Sequence, residues 1–526
     1  MPYPWKTERE WIAEEEKLGM VYRTKVPIKC GDYSNIVDIG NGIPGKIPET
    51  EMRAFARFLH SLPGKPIGII ENPVNNRPDI PVVVNPWPTR ERALRGCGVS
   101  SNIELCAKIE AIPKKRIKPN IVSKKDAICK GVIIKEPQLD LRKDIPRCWV
   151  EFNQWLWTGA NGTIVLRDPE TGAHSLGKCR WGPYEWKNAN PETPYPEERI
   201  RQYGVATMAK GGPRPSNTGR FYMKHRTQGK TMPCAYVYGL PTDYHILAAV
   251  KSLNWPQSGD EYEALGGWRG QPVDIVESET IPGLMVPADA EWVIEGEFLP
   301  EDETMPMYCE DQFIGYIVCP GSWPVFKVKC ITHRKDPWWD ATTFSSSGMH
   351  GRDGTHSALA TTELEADNLR HLRSLGFPVK DVACLAGPMF TVVQLEVDGL
   401  RKPYPYFAKK VGQALASYGS MVVSPYIVVV GPDVDPFDPM DVIWNIAMQS
   451  SPMTDSEFVR NGPPGIGMIL GIRRDQHRPE MSGEQMILDA TQPVPERYDA
   501  WRPRSEPRDW EIAAIKRMAE KLGYKK

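Results

Sequence analysis

Two neighbouring carboxyls and an amide, Glu310, Asp311 and Gln312, stand directly ahead of Phe313, Gly315 and Tyr316. Carboxyls give and take protons near neutral pH once burial lifts their pKa. The flanking runs read as their supports. VPADAEWVIEGE (286–297) alternates apolar and acidic residues as a half-buried strand does, and FKVKCITHRKDP (326–337) is a second strand ending in a charged cluster. Other chemistry-bearing residues are scattered. The 11 cysteines form no C-x-x-C pair, which argues against a zinc ribbon or thioredoxin-type site and for reduced thiols packed in cores. His350 and His356, in FSSSGMHGRDGTHS (344–357), are spaced H-x5-H, which is no metal pattern; the run reads as a polar surface loop or as a lid over a site. The basic stretch 113–125 reads either as a solvated linker or as a contact for phosphate or a CoA tail.

The elements that must position these residues follow from periodicity. Residues 5–18 (WKTEREWIAEEEKL) read as an amphipathic helix stopped at Gly19, and 48–62 as a second helix. PIGIIENP and IPVVVNP are short β-rich runs bounded by proline, and TRERALRGCGV is a helix with Thr89 at its N-cap. This alternation predicts an α/β N-terminal domain over 1–125. Over 126–345 the pattern changes to short strands and turns (AICKGVII, GTIVLRD, PCAYVYG, AEWVIEGE, FIGYIVC, VFKVKCITH), interrupted by a helix at 244–253, as suits a barrel or sandwich. Over 346–526 helices and strands alternate again: TELEADNLRHLRSLG, MFTVVQLEV, YFAKKVGQALASYG, YIVVVG, DPMDVIWNIAMQ and a last helix DWEIAAIKRMAEKLG.

Composition excludes several function classes. A chain of 526 residues exceeds one core and divides into two to four domains. With 65 basic and 66 acidic residues the net charge is -1, so no bulk field recruits nucleic acid or an anionic membrane. No apolar run approaches the ~18 residues that cross a bilayer, and MPYPWKTEREW lacks the basic-then-apolar plan of a signal peptide. A cytoplasmic protein is expected. The 17 tryptophans predict core packing and, for some, the wall of a cavity for a flat ligand.

Five regions, in order, resemble the UbiD family of flavin-dependent decarboxylases. They are PIGIIENP with DIPVVVNPWPTRERALRGCGV, the junction DAICKGVIIKEPQLDLRKDIP, the 286–337 region, VVVGPDVDPFDPMDVIWNIA, and MILDAT. The resemblance implies three parts: an α/β N-terminal domain, a central split β-barrel of flavin-reductase type that holds the cofactor, and an α/β C-terminal domain that builds dimers or hexamers. It also implies prenylated FMN, made by a separate flavin prenyltransferase, and the reversible decarboxylation of an aromatic acid or its CoA thioester.

The same resemblance assigns roles. Arg180, in HSLGKCR, matches the family's arginine against flavin and substrate carboxylate, a partner a guanidinium fits in a bidentate way. The family's two acids fall on Met307 and Gln312, neither of which donates a proton, so Asp311 or Glu310 would take over that work. The metal-binding Asn, His and Glu that hold the flavin phosphate fall on Ser175, near Ala209 or Lys210, and on Met285. These altered positions argue against a divalent metal or K+. Pro425 replaces a basic residue near the phosphate. Lys210, beside Gly211 and Gly212, would instead neutralise the phosphate as a point charge. Three readings follow: a UbiD-type carboxy-lyase with a remodelled site; a subunit that works without prenylated FMN inside a larger complex, as in phenylphosphate carboxylase; or a catalytically silent scaffold. A homo-oligomer or a hetero-complex with related subunits is expected.

Overall fold

The computed structural model describes residues 3–40, 43–149, 162–179, 181–184, 197–206, 216–249, 259–305, 309–310, 317–318, 321–341, 355–385, 389–397, 404–418, 424–462, 483–492 and 509–523. Its first sheet has four strands. Val21–Thr24 lies parallel to Ile67–Ile70, which runs antiparallel to Val82–Val84, and Val82–Val84 pairs in parallel with Trp339–Ala341. The runs IGII and VVV are apolar throughout because both faces are covered. Ile67, Ile69 and Val83 pack on Trp11 and Ile12 of helix Glu8–Lys17, while Ile70, Val82 and Val84 pack on Met52, Phe55 and Leu59 of helix Met52–Ser61. Thr7 and Thr89 cap their helices, accepting from the N–H groups of Glu10 and Arg92.

The helices match the expected ones to within a few residues. The fourth strand was not expected: after traversing the second sheet, the chain returns to the first one at Trp339–Ala341. The hairpin of Asp32–Gly40 and Ile43–Glu49 also went unread, because its alternation is broken by Pro44 and Pro48 and by register shifts.

The second sheet is antiparallel and eight-stranded. Its order runs from His174–Lys178 at one edge through Thr163–Arg167, Met232–Tyr238, Trp292–Met305, Gly321–His333 and Tyr203–Ala206 to Trp181–Pro183, with Val132–Lys135 paired to Gly321–His333. Trp181, Tyr236, Phe298 and Phe326 interlock edge to face on its inner side. Glu295, fully buried on the central Trp292–Met305 strand, is saturated: it accepts from Lys130 Nζ, from the N–H groups of Glu279 and Thr280, and from Thr280 Oγ1.

The third sheet has five strands in the order Val379–Cys384, Phe390–Leu395, Tyr426–Val430, Gly483–Ala490, Ser456–Gly462, with the inner three parallel. Helices Thr355–Ser374 and Phe407–Tyr418 pack on it. No helix among the described residues is long and apolar enough to cross a membrane. The nine cysteines described are buried and unbridged.

One buried ion pair ties the first unit to the third. Arg90 Nε donates to Glu365 Oε2 at 2.5 Å, and Glu365 Oε1 accepts from the Cys384 N–H at 2.9 Å. The same guanidinium lies 4.3 Å from the Phe437 ring centroid. Arg90→Ala strands the Glu365 carboxylate in a dry interior. The expected cost is about 3–5 kcal/mol, read as a lower urea midpoint at unchanged m value.

Candidate functional site

The strand His174–Lys178 is an open edge. It pairs with Thr163–Arg167 on one side only, so its alternate N–H groups point away from the sheet. Two carboxylates from the start of helix Glu261–Arg269 take them. Asp260 Oδ2 accepts from the His174 N–H at 3.0 Å, and Glu261 Oε2 accepts from the Leu176 N–H at 2.5 Å. Asp260 is also the N-cap of that helix, its other oxygen accepting from the Tyr262 N–H, and Gly270 closes the helix at φ +74°.

The same two acids organise side chains. His174 Nδ1 lies 2.8 Å from Asp260 Oδ2, while its Nε2 accepts from the Met285 N–H at 3.0 Å. Since Nε2 is an acceptor, the proton is on Nδ1 and the ring is neutral. Burial works to raise the Asp260 carboxyl, but the hydrogen bonds from His174 outweigh it and hold the group below its usual value. Next to it, Ser175 Oγ donates to Glu261 Oε1 at 3.1 Å and accepts from Asn217 Nδ2 at 3.1 Å. Asn217 opens helix Asn217–Arg226, capped by Ser216. Glu261 is buried, and its two hydrogen-bond partners, a hydroxyl and a peptide N–H, are neutral; burial pushes its carboxyl up to about 8.

At the far end of the strand, Lys178 Nζ contacts His245 Nδ1. His245, fully buried on helix Thr242–Ala249, is fixed from its other side, where Nε2 donates to the Leu240 carbonyl at 3.1 Å, and its ring lies 4.5 Å from that of Trp87. Burial pushes the Lys178 ammonium down to about 7, against the opposing pull of the carboxyls of Asp340 and Glu8. Those two acids are themselves buried, and burial together with Asp340 and Glu291 raises Glu8 well above the carboxylate range.

Of the residues singled out from sequence, Ser175 is thus built into a polar cluster. Glu310 contributes its backbone to the short pair of strands Cys309–Glu310 and Ile317–Val318. Arg180, Asp311, Lys210 and Gly211 lie outside the described residues, as do Met307, Gln312, Ala209 and His350. Met285 offers the cluster only its backbone N–H, whereas the carboxylate against Ser175 comes from Glu261. Glu261, Asp260, Asn217 and His174 were missed. The run SGDEYEAL does carry a helix-start signal in Asp260, but a partner strand 86 residues away leaves no local trace.

Among the described residues no group of three or more His, Cys, Asp or Glu gathers to hold a metal. The oxygen donors at Ser175 are the Glu261 carboxyl, the Ser175 hydroxyl and the Asn217 amide, hard ligands of the kind that complete the shell of a phosphate-bound divalent cation.

Comparison with known proteins bears on this arrangement. Residues 120–347 match the family model for the 3-octaprenyl-4-hydroxybenzoate carboxy-lyase (UbiD) Rift-related domain, and 357–490 match the model for its C-terminal domain. An uncharacterised protein of Archaeoglobus fulgidus is 26% identical over 421 residues, covering 80% of this chain and 74% of the relative. The vanillic acid decarboxylase of Sedimentibacter hydroxybenzoicus in its open form superposes with a TM-score of 0.74 at 20% identity, covering 99% of this chain and 100% of that one. HmfF of Pelotomaculum thermopropionicum, a UbiD-class enzyme solved in an evolved dimeric form with prFMN, gives 0.72 at 21% identity over 96% and 97%. The 3,4-dihydroxybenzoic acid decarboxylase of Klebsiella pneumoniae gives 0.71 at 20% identity over 96% and 98%.

Because Glu261 holds its proton more tightly folded than unfolded, the apoprotein loses stability as pH rises from about 4.5 through 8. With chelator present, Glu261→Gln is expected to flatten that slope by an amount of the order of a few kcal/mol, measured as Tm against pH.

Proposed function

The chain belongs to the UbiD family, and on that premise we propose that it is a carboxy-lyase that removes CO2 from, or adds it to, an aromatic acid or its CoA thioester. The observation that carries this reading is the Ser175–Glu261–Asn217 cluster. The sequence matches Ser175 to the residue that holds the flavin phosphate in the family, and here it stands against a buried carboxyl with neutral partners. A divalent cation bound with the phosphate would find oxygen ligands in Glu261, Ser175 and Asn217 and would supply the positive charge that returns Glu261 to its ionised form. Prenylated FMN, supplied by a flavin prenyltransferase, gives the electron sink that decarboxylation needs.

The chain's own residues do the rest. Arg180 holds the substrate carboxylate through its planar fork. The neutral ring of His174, clamped between Asp260 and Met285, fixes the strand that leads to that arginine. Sequence register offers Asp311 and Glu310 for the proton that replaces the carboxylate. The apolar faces on helices Pro439–Gln449 and Asp509–Lys521, with Met440, Ile443, Trp510 and Met518 exposed, are the surfaces a homo-oligomer would cover. Met307 and Gln312, where the family has acids, favour a second reading, a flavin-independent subunit of a phenylphosphate carboxylase-like complex.

The test is native mass spectrometry and absorption spectroscopy on protein purified without oxygen after co-expression with a flavin prenyltransferase. The expected result is one prenylated FMN per chain, lost at least tenfold in Ser175→Ala and Glu261→Ala, with ¹³C-bicarbonate exchange into a panel of aromatic acids. Absence of flavin in the wild type would move the assignment to the second reading.

A further inference from the structure

The carboxy-lyase reading asks for a proton at the carbon that loses CO2, and both positions where the family has an acid hold residues that cannot give one. We infer that Lys178, rather than Asp311 or Glu310, is the proton donor of the reaction; this rests on the carboxy-lyase reading and names the group that completes it.

The placement is specific. Lys178 shares its strand with Ser175, at the flavin-phosphate position, and stands two residues before Arg180, the carboxylate-binding position. At ~3.3 Å per strand residue, Lys178 lies ~10 Å beyond Ser175, about the span from the phosphate end of a flavin toward its ring. Its ammonium is held rather than waving in solvent. His245 Nδ1 accepts from Nζ and is kept an acceptor because the opposite ring nitrogen is spent on the Leu240 carbonyl. A neutral imidazole in this tautomer cannot compete for the Lys178 proton and leave a charged ring behind without breaking its bond to Leu240.

Every titratable group facing Lys178 bears on its protonation. From helix Thr242–Ala249 comes His245, from helix Glu8–Lys17 comes Glu8, and from strand Trp339–Ala341 comes Asp340. The neighbouring Thr163 hydroxyl, 3.5 Å from His245 Nδ1, is neutral. Glu8 and Asp340 are hydrogen-bonded to each other and hold a proton well above the ordinary carboxylate range. They form a buried reservoir on the side of Lys178 that faces the first sheet. An amine poised near neutrality both gives a proton readily and recovers it readily.

The step balances. The bond between the ring carbon and the carboxylate breaks heterolytically, its electron pair stays on the carbon, and CO2 leaves. One proton then passes from Lys178 Nζ to that carbon. The neutral amine is recharged by one proton from solvent, held in transit by the Glu8–Asp340 pair. The sum is one carboxylate plus one proton giving one decarboxylated product plus CO2.

Testing requires the flavin-loaded enzyme, an aromatic acid that the wild type decarboxylates, and four variants: K178M, K178R, D311N and E310Q. The expected result is a loss of kcat of ~10²-fold or more in both K178M and K178R, with flavin content intact and D311N and E310Q within threefold of wild type. K178R keeps the charge but cannot release its proton, so its failure separates proton donation from charge. The wild-type kcat should fall as pH rises above 7, as Lys178 loses its proton, and the residual activity of K178R should lack that limb. K178M within threefold of an active wild type overturns the inference and leaves the carboxy-lyase reading standing. A flavin-loaded wild type that turns over no aromatic acid overturns the carboxy-lyase reading, and the inference falls with it. A readout without variants or substrate is competitive acetylation of the folded protein followed by peptide mass spectrometry. Half-maximal reactivity of Lys178 near pH 7 is expected, and a midpoint in the ordinary lysine range overturns the inference.

Discussion

An edge strand with nothing to pair with is the condition around which the site forms. His174–Lys178 ends the eight-stranded sheet, and its outward N–H groups would otherwise face a protein interior unpaired. Asp260 and Glu261 stand where the next strand would lie and accept those bonds with side chains. A strand would have offered peptide carbonyls; carboxylates offer spare oxygens as well, and those oxygens orient His174 and Ser175. The repair of an edge and the assembly of a polar site are here one set of contacts. The N-terminus of a helix is a favourable place for such acids, since its unpaired N–H groups and dipole attract negative charge.

Burial then moves the two ends of the strand in complementary directions. Desolvation penalises whichever form is charged, so the acid at one end is pushed toward its protonated state and the amine at the other toward its neutral state. Both groups are brought toward the pH at which proton exchange is easiest, without a direct contact between them. The Glu8–Asp340 pair shows the same effect more strongly, since two carboxyls in contact cannot both be ionised in a dry environment. A cation at Ser175 would reverse the tendency at Glu261 alone, leaving the lysine end as it is.

What could be read from the sequence divides along physical lines. IGII, VVV and YIVVV declare themselves because strands buried on both faces need no polar residues, and Thr89 declares the start of its helix because a cap is a local bond. HSLGK and EYEALGGWR carry neither signal: one holds a glycine and a lysine in five residues, the other two adjacent glycines, and each is stabilised by its contact with the other. Ser175 was found through family register, but Glu261 was not, because helix and strand meet only in three dimensions. Register also pointed to Met285 for the carboxylate. That residue sits close by, yet it serves through its backbone, in support of His174.

The return of Trp339–Ala341 to the first sheet has a consequence for how the protein is made. The N-terminal unit is discontinuous: its fourth strand, and with it Asp340, is encoded beyond the whole second sheet. Domains usually fold in order as the chain emerges from the ribosome, but here roughly two thirds of the chain must be synthesised before the first sheet can close. Until then Val82–Val84 is itself an uncovered apolar edge. The nascent chain therefore passes through a long interval in which its first unit is open and in need of shielding, and its second sheet is finished before its first.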